Sequence, residues 1–289
     1  MALPSNLSFF MSRLQGLSSS HFKIFPQSSD TATAGKIIRF ELVNNSLVNM
    51  KSIRLLFNIA TANATANKGG RVPNNISSII ERTAIYMGGT LVQNSFNQYN
   101  TLVHAKAAIE GPKCDPTLSH PEIVRAKSYH DDSSLSRGGD EAYTDVDDQL
   151  CISNWEGFLG SVAPEIIDTG LLPQITIEFT LADNAVCPTC DDVTHAGFTG
   201  GSSNVGTTYS LTNLSLQVEV LGMATSVLDE LASQRIASVG YLSLPFKNYF
   251  TYQSTHSGTS RFNVNSASWD RLWAVYRPTT YATQTAPVS

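Results

Sequence analysis

Few residues of this chain could do chemistry, and only three groups of them have suggestive spacing. In Ile166-Ile167-Asp168-Thr169-Gly170 an Asp-Thr-Gly follows two apolar residues, the pattern that presents one carboxylate of a proton-sharing pair in acid proteolysis. That chemistry needs two carboxylates. No second Asp-Thr-Gly or Asp-Ser-Gly occurs, and Leu171 stands where a small residue is usual. The alternative is a turn leading into a strand at Ile175. Cys187-Pro188-Thr189-Cys190 has the spacing of half a zinc site or of a redox pair. Zinc needs two further ligands, and only His195 is near; Cys114 and Cys151 are distant in sequence. A redox pair needs a helix starting at the first Cys, which Pro188 and the Asp- and Gly-rich sequence after it do not promise. Asp145, Asp147 and Asp148 could attract calcium, yet the Gly and terminal Glu of an EF-hand loop are missing. A solvated acidic loop accounts for them. The sequence thus points to no catalytic, cofactor-binding or metal-ligating residues, and to no enzyme.

Composition narrows the partners. Only 15% of residues are charged and the net charge is -5, against about 25% charged in an ordinary soluble domain. Ser, Thr, Asn and Gln replace the missing charges, and they can be buried against a neighbour without desolvating an ion. Such a surface suits assembly. Direct nucleic-acid binding needs clustered Lys and Arg, and no basic arm is visible. The start of the chain lacks the positive n-region of a signal peptide, and no stretch approaches the ~20 apolar residues that span a bilayer. The expectation is synthesis in the cytosol, with the 4 Cys reduced and the Asn-x-Ser/Thr matches at Asn6, Asn44, Asn63, Asn75 and Asn213 fortuitous.

The elements around these groups are mostly strands. Leu7, Phe10, Met11, Leu14 and Leu17 have helical spacing, so residues 1–35 read as an amphipathic helix and an extended arm. Residues 36–224 read as a first β-sandwich. Ile38, Phe40 and Leu42 alternate, as do Ile53, Leu55, Phe57 and Ile59, with residues 44–50 as the turn between them. Ile79 to Met87 is a strand, Gly88-Gly89 supplies a tight hairpin, and Ser95 to Gln98 fits a capping box opening a helix from Phe96 to Ile109. Residues 114–149 form a long polar excursion. Strands resume at Ile175–Leu181 and at Leu214–Val220. Residues 225–239 read as a linker helix, and 240–289 as the opening strands of a second, incomplete sandwich. There Trp273 and Val275 are expected to face inward, with Arg271 and Arg277 at the rims.

This order is all-β: a jelly-roll β-sandwich followed by the start of a second jelly roll, with a few short helices in loops and linker. It resembles the double jelly-roll major capsid proteins of tailless icosahedral DNA viruses, the lineage of adenovirus hexon, virophages and polinton-like viruses. The residues that carry the resemblance are the Gly88-Gly89 hairpin, the helix with Tyr99-Asn100, the string Gly170-Leu171-Leu172-Pro173, and Ser268 to Arg277 in the second unit. The resemblance implies a virion protein forming homotrimeric, pseudo-hexagonal capsomers that tile an icosahedral shell. Its partners would be itself, neighbouring capsomers, and minor capsid proteins or an inner membrane reached through the N-terminal helix at the capsomer base. The alternatives are a minor capsid or vertex protein, or a carbohydrate-binding jelly roll using Trp155 and Tyr143.

Overall fold

Alternating apolar residues form paired strands wherever a second layer covers them. The computed structural model describes residues 18–63, 68–70, 76–110, 143–144, 149–187, 189–191 and 207–222, and within the C-terminal stretch 233–234, 237–238, 240–241, 243–255, 258–264 and 268–276. In chain order the elements are β1 (Ser18–Ile24), β2 (Ala32–Thr33), β3 (Ile37–Glu41), β4 (Leu47–Asn63), β5 (Lys68–Gly70), β6 (Ile80–Met87) and β7 (Thr90–Asn97), then helix α1 (Tyr99–Glu110). They continue with β8 (Tyr143–Thr144), β9 (Leu150–Ile152), the single turn α2 (Phe158–Ser161), β10 (Ile166–Asp168), β11 (Ile175–Leu181), β12 (Thr189–Asp191) and β13 (Thr207–Gly222).

Two antiparallel sheets face each other. The first runs β1-β13-β4-β10, with β2 also on β13 and with β8 and β9 also on β4; the second runs β3-β11-β6-β7. Taking β1 with β2, and β8, β9 and β10 together, leaves four strand positions in each sheet. Numbered along the chain, these positions fall in the orders 1-8-3-6 and 2-7-4-5, which is the jelly roll with its two Greek keys. β5 and β12 form a separate two-stranded ribbon.

The core lies between the sheets. Ile38, Phe40, Ile53, Leu55, Phe57, Ile177, Phe179, Leu216 and Val218 are all buried there. Phe179 lies edge-on to Phe40 at 6.1 Å and stacks on Trp155 at 4.9 Å between ring centroids.

Several boundaries differ from the sequence reading, each for a local reason. Residues 44–50 are not all turn, because β4 already starts at Leu47. Its buried side chains run Val48, Met50, Ile53, Leu55, Phe57 and Ile59, so the alternation slips by one residue between Met50 and Ile53. The ladder with β13 shifts register at the same place. Between the pairs Arg54–Gln217 and Asn49–Glu219, β4 carries three more residues than β13, and such an irregularity hides strand continuity from a period-two reading. β13 slips likewise between Thr212 and Ser215, where Asn213 has φ 55°. The helix starts at Tyr99, not Phe96: β7 pairs Phe96 with Thr83, and Gln98, at φ 57°, accepts the Leu102 N–H. The Ser18–Ile24 part of the extended arm is a full strand on β13.

The opening strands expected from residue 240 onward do not appear among the described residues of 240–276, none of which is in a strand. Trp273 is half-buried and Val275 exposed, so neither faces the interior of a second sheet. Strands are stabilised by a neighbour and a covering layer, and this stretch has no neighbouring strand within the described residues. Residues 1–17, and with them the N-terminal helix, lie outside those described, as does most of the linker helix.

Candidate functional site

Within the described residues, the groups singled out for their chemistry are held in turns, strands and core. Asp168 ends β10 and its Oδ1 accepts the Gly170 N–H at 2.8 Å. Thr169 is buried; its hydroxyl accepts the Ser46 N–H at 3.0 Å and lies 2.8 Å from the Val43 carbonyl. The string is a turn tied to the β3–β4 connection. Cys187 is a free, buried thiol whose pKa is pushed up by burial, which disfavours the thiolate needed for redox or metal chemistry. Cys190 lies on β12 and Cys151 on β9. Among the described residues no three His, Cys, Asp or Glu side chains converge as metal ligands do. Cys114, His195, Asp145, Asp147 and Asp148 lie outside those residues. Trp155, expected as an exposed sugar platform, is 5% exposed and donates from Nε1 to the Ile53 carbonyl at 2.8 Å. It is a core residue.

The strings behind the resemblance meet in space. Gly88, at φ 56°, sits so close to Pro173 that a Cβ on it would fall 2.8 Å from the proline Cβ, and its N–H donates to the Gln174 carbonyl at 2.9 Å. The paired-glycine hairpin and the Gly-Leu-Leu-Pro string are thus two sides of one contact. Tyr99 is fully buried; its hydroxyl donates to the Asn154 carbonyl and accepts the Glu156 N–H, both at 3.3 Å. Asn100 donates to the Ser78 carbonyl. Tyr99 thus locks α1 against the loop that precedes α2, and Asn100 ties it to the turn before β6.

That loop carries the feature the sequence did not announce, a seam holding the C-terminal stretch to the jelly roll. Phe246 meets Phe158 edge-on at 5.1 Å. The Ala163 N–H donates to the Pro245 carbonyl at 3.0 Å, and the Lys247 N–H donates to Ser161 Oγ at 2.8 Å. Tyr249 donates its hydroxyl to Glu156 Oε2 at 3.0 Å, while Lys106 on α1 donates to Glu156 Oε1 at 2.6 Å. The Lys106 and Glu156 side chains are only 14% and 13% exposed. Thr251 closes the seam on the Asn97 carbonyl at 2.7 Å. The sequence signal for it is Leu244-Pro245-Phe246, inside the stretch expected to open the second sandwich.

The seam occupies the β7 and β10 edge of the sandwich; β1 and β3 form the opposite edge. Both the far edge and the stretch beyond the seam present apolar surface. Phe22 and Phe25 are exposed at the first, and Phe250, Tyr252, Phe262, Leu272 and Val275 at the second.

No family model matches the chain, and no curated protein does. Among solved structures it is similar to a chain of the Sputnik virophage seen by cryo-EM, at TM-score 0.41 and 13% identity over 72% of this chain and 48% of that one. It is also similar to the Faustovirus major capsid protein, at TM-score 0.37 and 8% identity over 74% and 56%, and to the mavirus major capsid protein, at 0.33 and 12% over 78% and 48%. The chain spans about half the length of these proteins.

Proposed function

We propose that this protein is a structural capsid protein of the virion, whose jelly roll packs into homotrimeric, pseudo-hexagonal capsomers of an icosahedral shell, and that it has no enzymatic role. The observation that supports this most is the use of its reactive groups. In an eight-position jelly roll, Asp168, Thr169 and Trp155 are consumed by turns and core, and among the described residues much of the exposed apolar surface lies along the β1 edge and the C-terminal stretch. The low charged fraction suits the same role, since obligate interfaces of more than about 2,000 Å² exclude unpaired charge. The carbohydrate-binding reading loses its platform because Trp155 is interior. We keep the N-terminal segment as a contact for minor capsid proteins or an inner membrane, and assign no direct contact to nucleic acid.

Size-exclusion chromatography of the full chain with light scattering tests the reading. Three copies per particle are expected in solution, and a single copy at tens of micromolar would overturn it.

A further inference from the structure

We infer that the free edge of β1 is a strand-addition site for residues 272–275 of a second copy of this chain, so that copies join head to tail; this rests on the capsomer reading above. β1 is well ordered by its register, since all seven residues from Ser18 to Ile24 face β13 partners from Gly222 to Leu216. It is nevertheless exposed over almost its whole length. Directly paired residues point to the same face of a sheet. Phe22 therefore points the same way as Val218, which is fully buried, and yet Phe22 is 45% exposed. β1 and β3 are the edge strands on that side of the sandwich, and no strand lies beyond β1 among the described residues. Its outer N–H and C=O groups pair with no strand among the described residues, and a long, unprotected edge is a template for another strand.

The same chain carries a segment with the opposite need. Leu272-Trp273-Ala274-Val275 holds two strand-favouring residues, Trp273 and Val275, but belongs to no sheet among the described residues, with Leu272 77% and Val275 49% exposed. It follows the seam, which fixes residues 245–251 at the β7 and β10 edge, across the sandwich from β1. An edge that lacks a strand and a segment that lacks an edge thus sit on opposite sides of one molecule. Two different patches that satisfy each other make a heterologous contact, which repeats from copy to copy and closes into a ring when the rotation allows. Isologous pairing would instead require one patch to match itself.

The experiment uses full-length Phe22→Asp and Leu272→Asp, both at exposed positions, and reads native mass by light scattering. Each variant alone is expected as a single copy at a concentration where the unaltered chain is trimeric. Mixed in equal amounts they should give two copies and stop there, because the intact segment of the first variant meets the intact edge of the second and the remaining segment and edge are both altered. Variants that both stay trimeric would overturn the inference and leave the capsomer reading standing. A mixture that recovers three copies would also overturn it. So would a Phe22→Asp chain that melts lower but assembles normally, since that places the cover of β1 within its own chain. An unaltered chain that is a single copy overturns the capsomer reading itself. If an Asp variant does not fold, Phe22→Thr and Leu272→Thr carry the same test, with association expected to weaken at least about ten-fold.

Discussion

Trp155 and Trp273 show how one side chain fares in two regions of a molecule. Trp155 lies between the sheets, stacked on Phe179 with its N–H on the Ile53 carbonyl. Trp273 is half-buried between Leu272 and Ala274, which are both exposed. Of the exposed large apolar residues, eight fall between Tyr241 and Tyr276, although that stretch is far shorter than the jelly roll. The difference is not in residue type. It lies in whether a second layer and a neighbouring strand are present, because β-propensity expresses packing against neighbours more than backbone preference.

The largest effect that sharpens this contrast is truncation of the two tryptophans. Trp155→Ala should destabilise the protein by about 3–5 kcal/mol, whereas Trp273→Ala should cost less than about 1 kcal/mol in the unassembled chain. Urea denaturation followed by circular dichroism measures both, and equal losses would mean that the C-terminal stretch has a core of its own. Next is the ion pair under the seam. Glu156→Gln leaves Lys106 with a neutral partner and should cost about 1–3 kcal/mol, less than a fully buried pair because some solvent still reaches the site. A Lys106→Met, Glu156→Leu double variant should recover part of that loss.

Tyr249→Phe is gentler. Removing one hydrogen bond to a carboxylate is worth about 1 kcal/mol, and the effect should stay local. Amide exchange at Ala163 and Lys247 should quicken about five-fold while the thermal midpoint hardly moves. A drop in global stability would show that the seam is part of the jelly-roll core.

The smallest effect concerns β1. Ser19 and Asn49 donate to Glu219 and hold its pKa below the ordinary carboxylate value. A depressed folded pKa contributes stability above the unfolded value of about 4.3 and loses it as pH falls through the lower folded value. Amide protection along β1 should therefore weaken in acid before the rest of the sandwich loosens. In Glu219→Gln that acid-dependent step should vanish.

The sheet interiors were legible because half-buried strands alternate. Ile38, Phe40 and Leu42, and then Ile175, Ile177, Phe179 and Leu181, all face the core as that alternation requires. What was lost was lost to local geometry or to missing neighbours. The slips at Met50–Ile53 and Thr212–Ser215 concealed how far β4 and β13 extend. β1 was illegible because Ser18-Ser19-Ser20-His21 has no apolar face to reveal. The reactive strings could be weighed from sequence, but the seam could not, since it depends on a polar carboxylate, a lysine and a tyrosine drawn together from three separate segments.

The order 1-8-3-6 also sets a timetable for folding. β13 lies between β1 and β4, yet it is the last of these three to be synthesised. β4 ends at Asn63 and β13 begins at Thr207. At a ribosome's pace of about 5–20 residues per second, the finished β4 waits about 7 s or more for the strand that covers its edge. The first sheet cannot zip up progressively from the N-terminus, and closing so distant a contact is slow once the chain is complete. During that interval β1 and β4 are exposed to any other nascent copy on the same message, so the choice between pairing within the chain and pairing between chains is first faced during translation.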